Sequence, residues 1–300
     1  MHGSGTGRAQ ASPAFSFFNM FPFATVSRKP DQGDRAGVVL AVCAAKGGVG
    51  KTTTAVNLAD GLAREEDARV LLVDADPQGH AGACVPVVPG AQLEHEPSDL
   101  ATLVLRHQAE LLEGVWPTDI EGLHLVPAGD GLREAEQTLA SRIGKETVLR
   151  SALEVTRTHF DYVVIDCPPS LSTLAIASLA ACDGVIIPTE LSALTVRGLE
   201  EFVRTLAQVH QRLNPRLGVL GIVINRLDNR NSRANAEVIE ELREFAGELL
   251  FDTSIRSSTA LPRAQRQGLP VSHFPGRGEV AVDYEQLVDE VRARLATRPT

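Results

Sequence analysis

Val38-Val39-Leu40-Ala41-Val42-Cys43-Ala44-Ala45-Lys46-Gly47-Gly48-Val49-Gly50-Lys51-Thr52-Thr53 is the stretch that decides how this chain folds. It opens as an unbroken apolar run of strand length, turns through glycines, and passes into TTTAVNLADGLAREE at 52–66, where apolar residues recur at helical spacing. A strand that turns through glycines into a helix gathers backbone N–H groups and the helix's partial positive charge at one point, which suits an anion. Within that turn Lys51 can reach the β- and γ-phosphates of a nucleotide while Thr52 offers its hydroxyl to magnesium. Nucleoside triphosphate binding is the expectation. Gly47, Gly48, Val49, Gly50, Lys51, Thr52 and Thr53 form the expected cradle.

Outward from this stretch the same alternation recurs. Strands are predicted at 69–73, 123–126, 162–165, 184–187 and 217–224, and helices at 100–112, 132–139, 147–158, 174–181, 196–213, 234–245, 260–267 and 282–295. Strands separated by helices need crossover connections, so the fold class expected is α/β: a doubly wound, mostly parallel sheet with helices on both faces. Aromatic content of only 4% leaves the core to Ala, Leu, Val and Ile, the material of buried parallel strands. The domain division expected is a flexible tail over 1–37, holding five of the ten phenylalanines, and one ATPase domain over 38–300. No apolar run reaches the roughly 18 residues that span a bilayer, so no integral membrane segment is expected. A formal net charge of -9 argues against a surface that coats nucleic acid as a whole, and any anionic partner must be met locally.

Two carboxylate motifs end predicted strands, on the rim where α/β folds hold ligands: LLVDADPQG at 71–79 and DYVVIDCPPS at 161–170. Together with K-G-G-V-G-K-T at 46–52, the deviant Walker A signature, they resemble the ParA/MinD group of P-loop ATPases. The resemblance implies ATP and Mg2+ as cofactors and Lys51 as the lysine acting within its own subunit. Lys46 would reach the partner's nucleotide in an ATP-bound sandwich homodimer, neutralising charge on the transferred phosphoryl group as an arginine finger does. It further implies that Asp76 orients the attacking water, that Asp74 and Asp166 with Thr52 serve the metal, and that Asn225 contacts the base. Cys84 and Cys167 invite comparison with a related reductase component that bridges its dimer with an iron–sulfur cluster. Their apolar settings favour buried, inert thiols.

Within that group the match is to the short ParA/Soj class of partition ATPases, carried by AAKGGVGKTTTAVNLADGLA, LLVDADPQGHA, DYVVIDCPPSLSTLAIASLAACDGVIIPTE and LDNRNSRANAEVIEEL. The resemblance implies DNA binding without sequence preference in the ATP state, a ParB-type centromere-binding partner, and a cytoplasmic, nucleoid-associated location. The 37-residue leader is too short for the helix-turn-helix of the long class. Local charge agrees: six arginines stand between 204 and 233 against the single acid Asp228. Arg230 falls on a family DNA-contact position, and Arg204, Arg226, Arg233 and Arg263 are expected to assist it. The alternatives are a MinD-like or cargo-positioning ATPase and a P-loop ATP-dependent metabolic ligase. Against the MinD-like reading, 282–295 carries Asp283, Glu285, Asp289 and Glu290 and an apolar stripe suited to packing on the core.

Overall fold

The computed structural model describes residues 36–88, 97–106, 108–228 and 232–296, without the side chains of 232–234. All but the last two residues of the expected tail lie outside the described residues. Among the described residues eight strands form one sheet: β1 (Val38–Val42), β2 (Val70–Asp74), β3 (Trp116–Pro117), β4 (Leu123–Val126), β5 (Tyr162–Asp166), β6 (Gly184–Glu190), β7 (Gly218–Leu227) and β8 (Leu250–Arg256). Their order is β3-β4-β2-β5-β1-β6-β7-β8. Every pairing is parallel except β3 with β4.

The helices are α1 (Lys51–Ala63), α2 (Leu100–Leu105), α3 (Leu132–Ala140), α4 (Val148–Thr156), α5 (Thr173–Ala181), α6 (Thr195–Arg212), α7 (Ser232–Ala246), α8 (Ala260–Arg266) and α9 (Gly278–Ala296). Successive residues of a strand point to opposite faces, so each apolar strand feeds two cores. Val39, Ala41, Leu71, Val73, Val163 and Ile165 pack under α2 to α7. Leu40, Val42, Leu72, Leu125, Val164 and Ile186 pack under α1, α8 and α9. The doubly wound reading of the sequence is what the structure shows.

Helix α9 lays Tyr284, Leu287, Val288, Val291 and Leu295 into the second of these cores. Its approach to α1 is close: a Cβ on Gly61 would stand 2.5 Å from Val288 Cγ2, so only glycine lets the two helices meet there. Among the described residues no helix is long and apolar enough to cross a membrane.

Three differences from the sequence reading have local causes. The helix expected over 100–112 stops at Leu105, because Arg106 turns extended (ψ 147) and Gln108 is left-handed (φ 57). A 3-10 turn then covers Leu111–Gly114. Strand β8 was not expected, because its edge-strand sequence LFDTSIR has no apolar run. Strand β3 was not expected either, being two residues long and ending in proline.

The outer side of β8 is covered by side chains of α9. Glu290 accepts the backbone N–H groups of Asp252 (2.9 Å) and Thr253 (2.7 Å), Asp283 accepts that of Arg256 (3.0 Å), and Arg294 donates to the carbonyl of Leu250 (3.0 Å).

Candidate functional site: a nucleotide cleft at the carboxyl rim

The turn from β1 to α1 depends on glycine at two left-handed positions, Gly48 (φ 81) and Gly50 (φ 88), the second of which caps α1. It is fastened from β7. The Asn225 side-chain amide donates to the carbonyl of Val49 (2.8 Å) and to Thr54 Oγ1 (3.1 Å), and a Cβ on Gly50 would stand 2.6 Å from Asn225 Nδ2. Both N–H groups of that amide are therefore spent on the loop. Only Asn225 Oδ1, buried and without a partner, remains for another donor.

Lys51 is buried, and its ammonium donates across the loop to the carbonyl of Lys46 (3.3 Å). The Lys46 side chain is exposed. A cleft of about 830 Å3 opens over the loop, lined by Gly48, Gly50, Lys51, Thr52, Thr53 and Asp76 among others, but not by Lys46. The structure thus places Gly48, Gly50, Lys51, Thr52, Thr53 and Asp76 of the sequence reading around one cleft. It missed Gln78, His80, Pro262, Gln265 and Arg266, which also line the cleft. Gln265 reaches the P-loop helix directly, donating to Thr53 Oγ1 (2.8 Å). No contiguous motif marks α8. Its relation to the cleft exists only once α8 has packed beside α1.

The carboxylates meet through register. Asp74 on β2 is the lateral partner of Asp166 on β5, so two strands in neighbouring positions each end in an acid. Asp74 accepts from the N–H groups of Gly82 (2.9 Å) and Asp76 (3.2 Å), yet burial pushes its carboxyl up to about 6. Asp166 is fully buried, and neither oxygen has a hydrogen-bond partner. Burial first and the charge of Asp74 second push its carboxyl well above the usual range, against the opposing pull of Thr52 and Lys51. An unpartnered buried carboxylate is costly unless a cation meets it. Magnesium typically takes one or two carboxylates and completes its shell with phosphate and water, so Asp166, Asp74 and Thr52 fit it. Asp76 lies in the turn after β2, 6% exposed, with Oδ1 accepting from the N–H of Gln78 (3.0 Å).

The arginines expected to share one DNA face are dispersed. Arg226 turns into the nucleotide cleft and pairs with Glu190 at 2.8 Å. Arg204 is exposed on α6, and Arg263, on α8, holds its guanidinium 5.3 Å from the Phe274 ring centroid. These two helices cover opposite faces of the sheet. Arg230 lies outside the described residues, and only the backbone of Arg233 lies within them, in α7. Arg256, the last residue of β8, is neutralised by the buried Asp283 at 2.7 Å. All four cysteines are buried, and burial pushes the Cys84 thiol up to about 11.

A family model described as an AAA domain matches residues 37–219. The chain is 36% identical to the sporulation initiation inhibitor protein Soj of Bacillus subtilis, over 86% of this chain and 99% of Soj. It is 35% identical to the chromosome partitioning protein ParA of Caulobacter vibrioides, over 87% and 96%. Among solved structures, cobyrinic acid a,c-diamide synthase from Mycobacterium smegmatis, with a bound ATP analogue and magnesium, matches with a TM-score of 0.68 and 33% identity over 84% of this chain and 93% of that one. Identity of this order, sustained across nearly the full lengths of Soj and ParA, marks common descent, and the chain belongs to the ParA/Soj family of P-loop ATPases.

Proposed function

We propose that this protein is a Mg-ATP-dependent ATPase that dimerises around ATP and binds DNA without sequence preference in that state. In this reading it segregates a chromosome or plasmid with a ParB-type stimulating partner. The observation that carries the reading is the division between two lysines of one loop: Lys51 is buried in the cleft, whereas Lys46 is exposed and outside its lining. A cation that does not serve its own cleft is suited to a partner's.

In the chemistry that follows, the backbone N–H groups of the loop and Lys51 hold the phosphates, so the transferred group is positioned before reaction. Thr52, Asp166 and Asp74 would hold magnesium, which would supply charge neutralisation on the phosphate oxygens. Asp76 accepts a hydrogen bond from the attacking water and orients it, and Lys46 of the opposing subunit stabilises the charge on the departing phosphate. Asn225 Oδ1 is the acceptor left to take a base amine.

The experiment is ATP turnover with and without duplex DNA, together with Asp76→Ala. The expected result is slow turnover raised by DNA and partner, and an Asp76→Ala protein that binds ATP and dimerises but does not hydrolyse it. Normal hydrolysis by that variant would remove Asp76 from its role. The likeness to a diamide synthase supports one second reading, a ligase that activates a small carboxylate. Such an enzyme would turn over with its substrate and ignore DNA. A membrane-cycling reading draws no support from α9, whose apolar stripe is already buried.

A further inference from the structure

Arg226 has the backbone of a constrained residue. Its φ of 54 is left-handed, a conformation that a side chain of this size adopts only where its surroundings impose it. It directly follows Asn225, the residue that fastens β7 to the P-loop, so one peptide bond ties it to the phosphate cradle. Its side chain lines the cleft together with Gly50, Lys51 and Thr52.

The partner of Arg226 is Glu190, the last residue of β6 and the register neighbour of Asn225. Their side chains are 61% and 25% exposed, and Glu190 Oε1 gains an ion pair but no hydrogen bond. That oxygen is buried while the guanidinium stands largely in water, so the arginine end of the pair is screened and free to turn to a stronger anion. A nucleotide phosphate carries more charge and more acceptor oxygens, and guanidinium meets such oxygens two at a time.

We propose that Arg226 is a further ligand for the phosphates of the bound nucleotide, with Glu190 competing for the same guanidinium. The inference rests on the nucleotide reading above and deepens it, taking Arg226 from the DNA set to the cleft. The strained backbone directs a long cation over an anion site instead of letting β7 run on. Glu190 shields that cation in its absence from the phosphates and weakens binding by the cost of separating the pair.

The test uses the full chain with magnesium, a fluorescent ATP analogue, and displacement by ADP and by adenosine. Arg226→Gly removes the guanidinium and relaxes φ, so melting temperature should hold or rise while ADP binds roughly tenfold more weakly and adenosine is unaffected. Glu190→Gln should tighten ADP roughly threefold, and should do nothing in the Arg226→Gly background. ADP binding unchanged by Arg226→Gly would overturn the proposal. So would equal weakening of ADP and adenosine, or a Glu190→Gln effect that persists without Arg226. A parent protein that bound neither ADP nor the analogue would instead overturn the nucleotide reading, and this inference with it.

Discussion

Asp166 ends β5 with both carboxylate oxygens buried and unpartnered, beside an Asp74 whose carboxyl burial pushes up to about 6 from 3.8. Folded values raised above the unfolded ones mean that the fold prefers the neutral acids. For Asp74 that contribution is fully present below about pH 4 and is lost as pH rises through about 6, on the order of 3 kcal/mol, and Asp166 adds to it in the same direction. Metal-free protein should therefore lose thermal stability over that rise, and Mg-ADP should restore it. Asp166→Asn should melt higher than the parent at pH 8 without ligand, and should lose the extra stabilisation that magnesium gives to ADP. Scanning fluorimetry between pH 4.5 and 8 reads both effects, and a lower melting temperature at pH 8 for the variant would contradict the account. The two lysines should separate as well. Lys51→Ala should abolish binding of the ATP analogue, whereas Lys46→Ala should retain it and lose hydrolysis. Mixing Lys46→Ala with Asp76→Ala should recover part of the turnover if the lysine acts across the dimer, and no recovery at any ratio would leave it acting within its own subunit.

The link from β1 to α1 is as sensitive as any single residue in the cleft, because Gly50 is both left-handed and in contact with the amide of Asn225. Gly50→Ala should cost roughly 1–3 kcal/mol, combining backbone strain with a collision. Asn225→Ala removes that collision together with the hydrogen bonds to Val49 and Thr54, so the double variant should cost less than the sum of the two single ones, and denaturant midpoints of all three measure the shared part. This link was also the most legible part of the chain. Strands β1, β2 and β5 read clearly because burial on both faces makes them apolar throughout, and the P-loop read clearly because its chemistry is contiguous. Strand β8 did not, since an edge strand of mixed composition carries no continuous run, and β3 has only two residues. The carboxylates were legible as strand ends, but their pairing belongs to the register of β2 with β5. Gln265 and Arg266 reach the cleft through packing of α8, and Arg226 through a single φ angle, so no local pattern announced them.

Across the whole molecule, a net charge of -9 opposes DNA binding unless arginines are gathered, and the proposed dimer would bring two sets together. Arg230→Glu should abolish retention of nonspecific duplex by the ATP state while leaving analogue binding intact. The parent's log affinity should fall against log salt by about 0.9 for each phosphate neutralised. Gel shifts over a salt series decide this, and unchanged retention by the variant would remove Arg230 from the DNA contact. The two ends of the sheet bear on how such a protein stays usable at high local concentration. An exposed strand edge is a template for any other chain with unpaired amides, the route to swapped dimers and fibrils. At one end Pro117 has no N–H to offer, and at the other Glu290, Asp283 and Arg294 already occupy the backbone groups of β8. With these groups withheld or already taken, neither margin invites strand addition, and in the proposed dimer self-association would be left to the rim where ATP would bind.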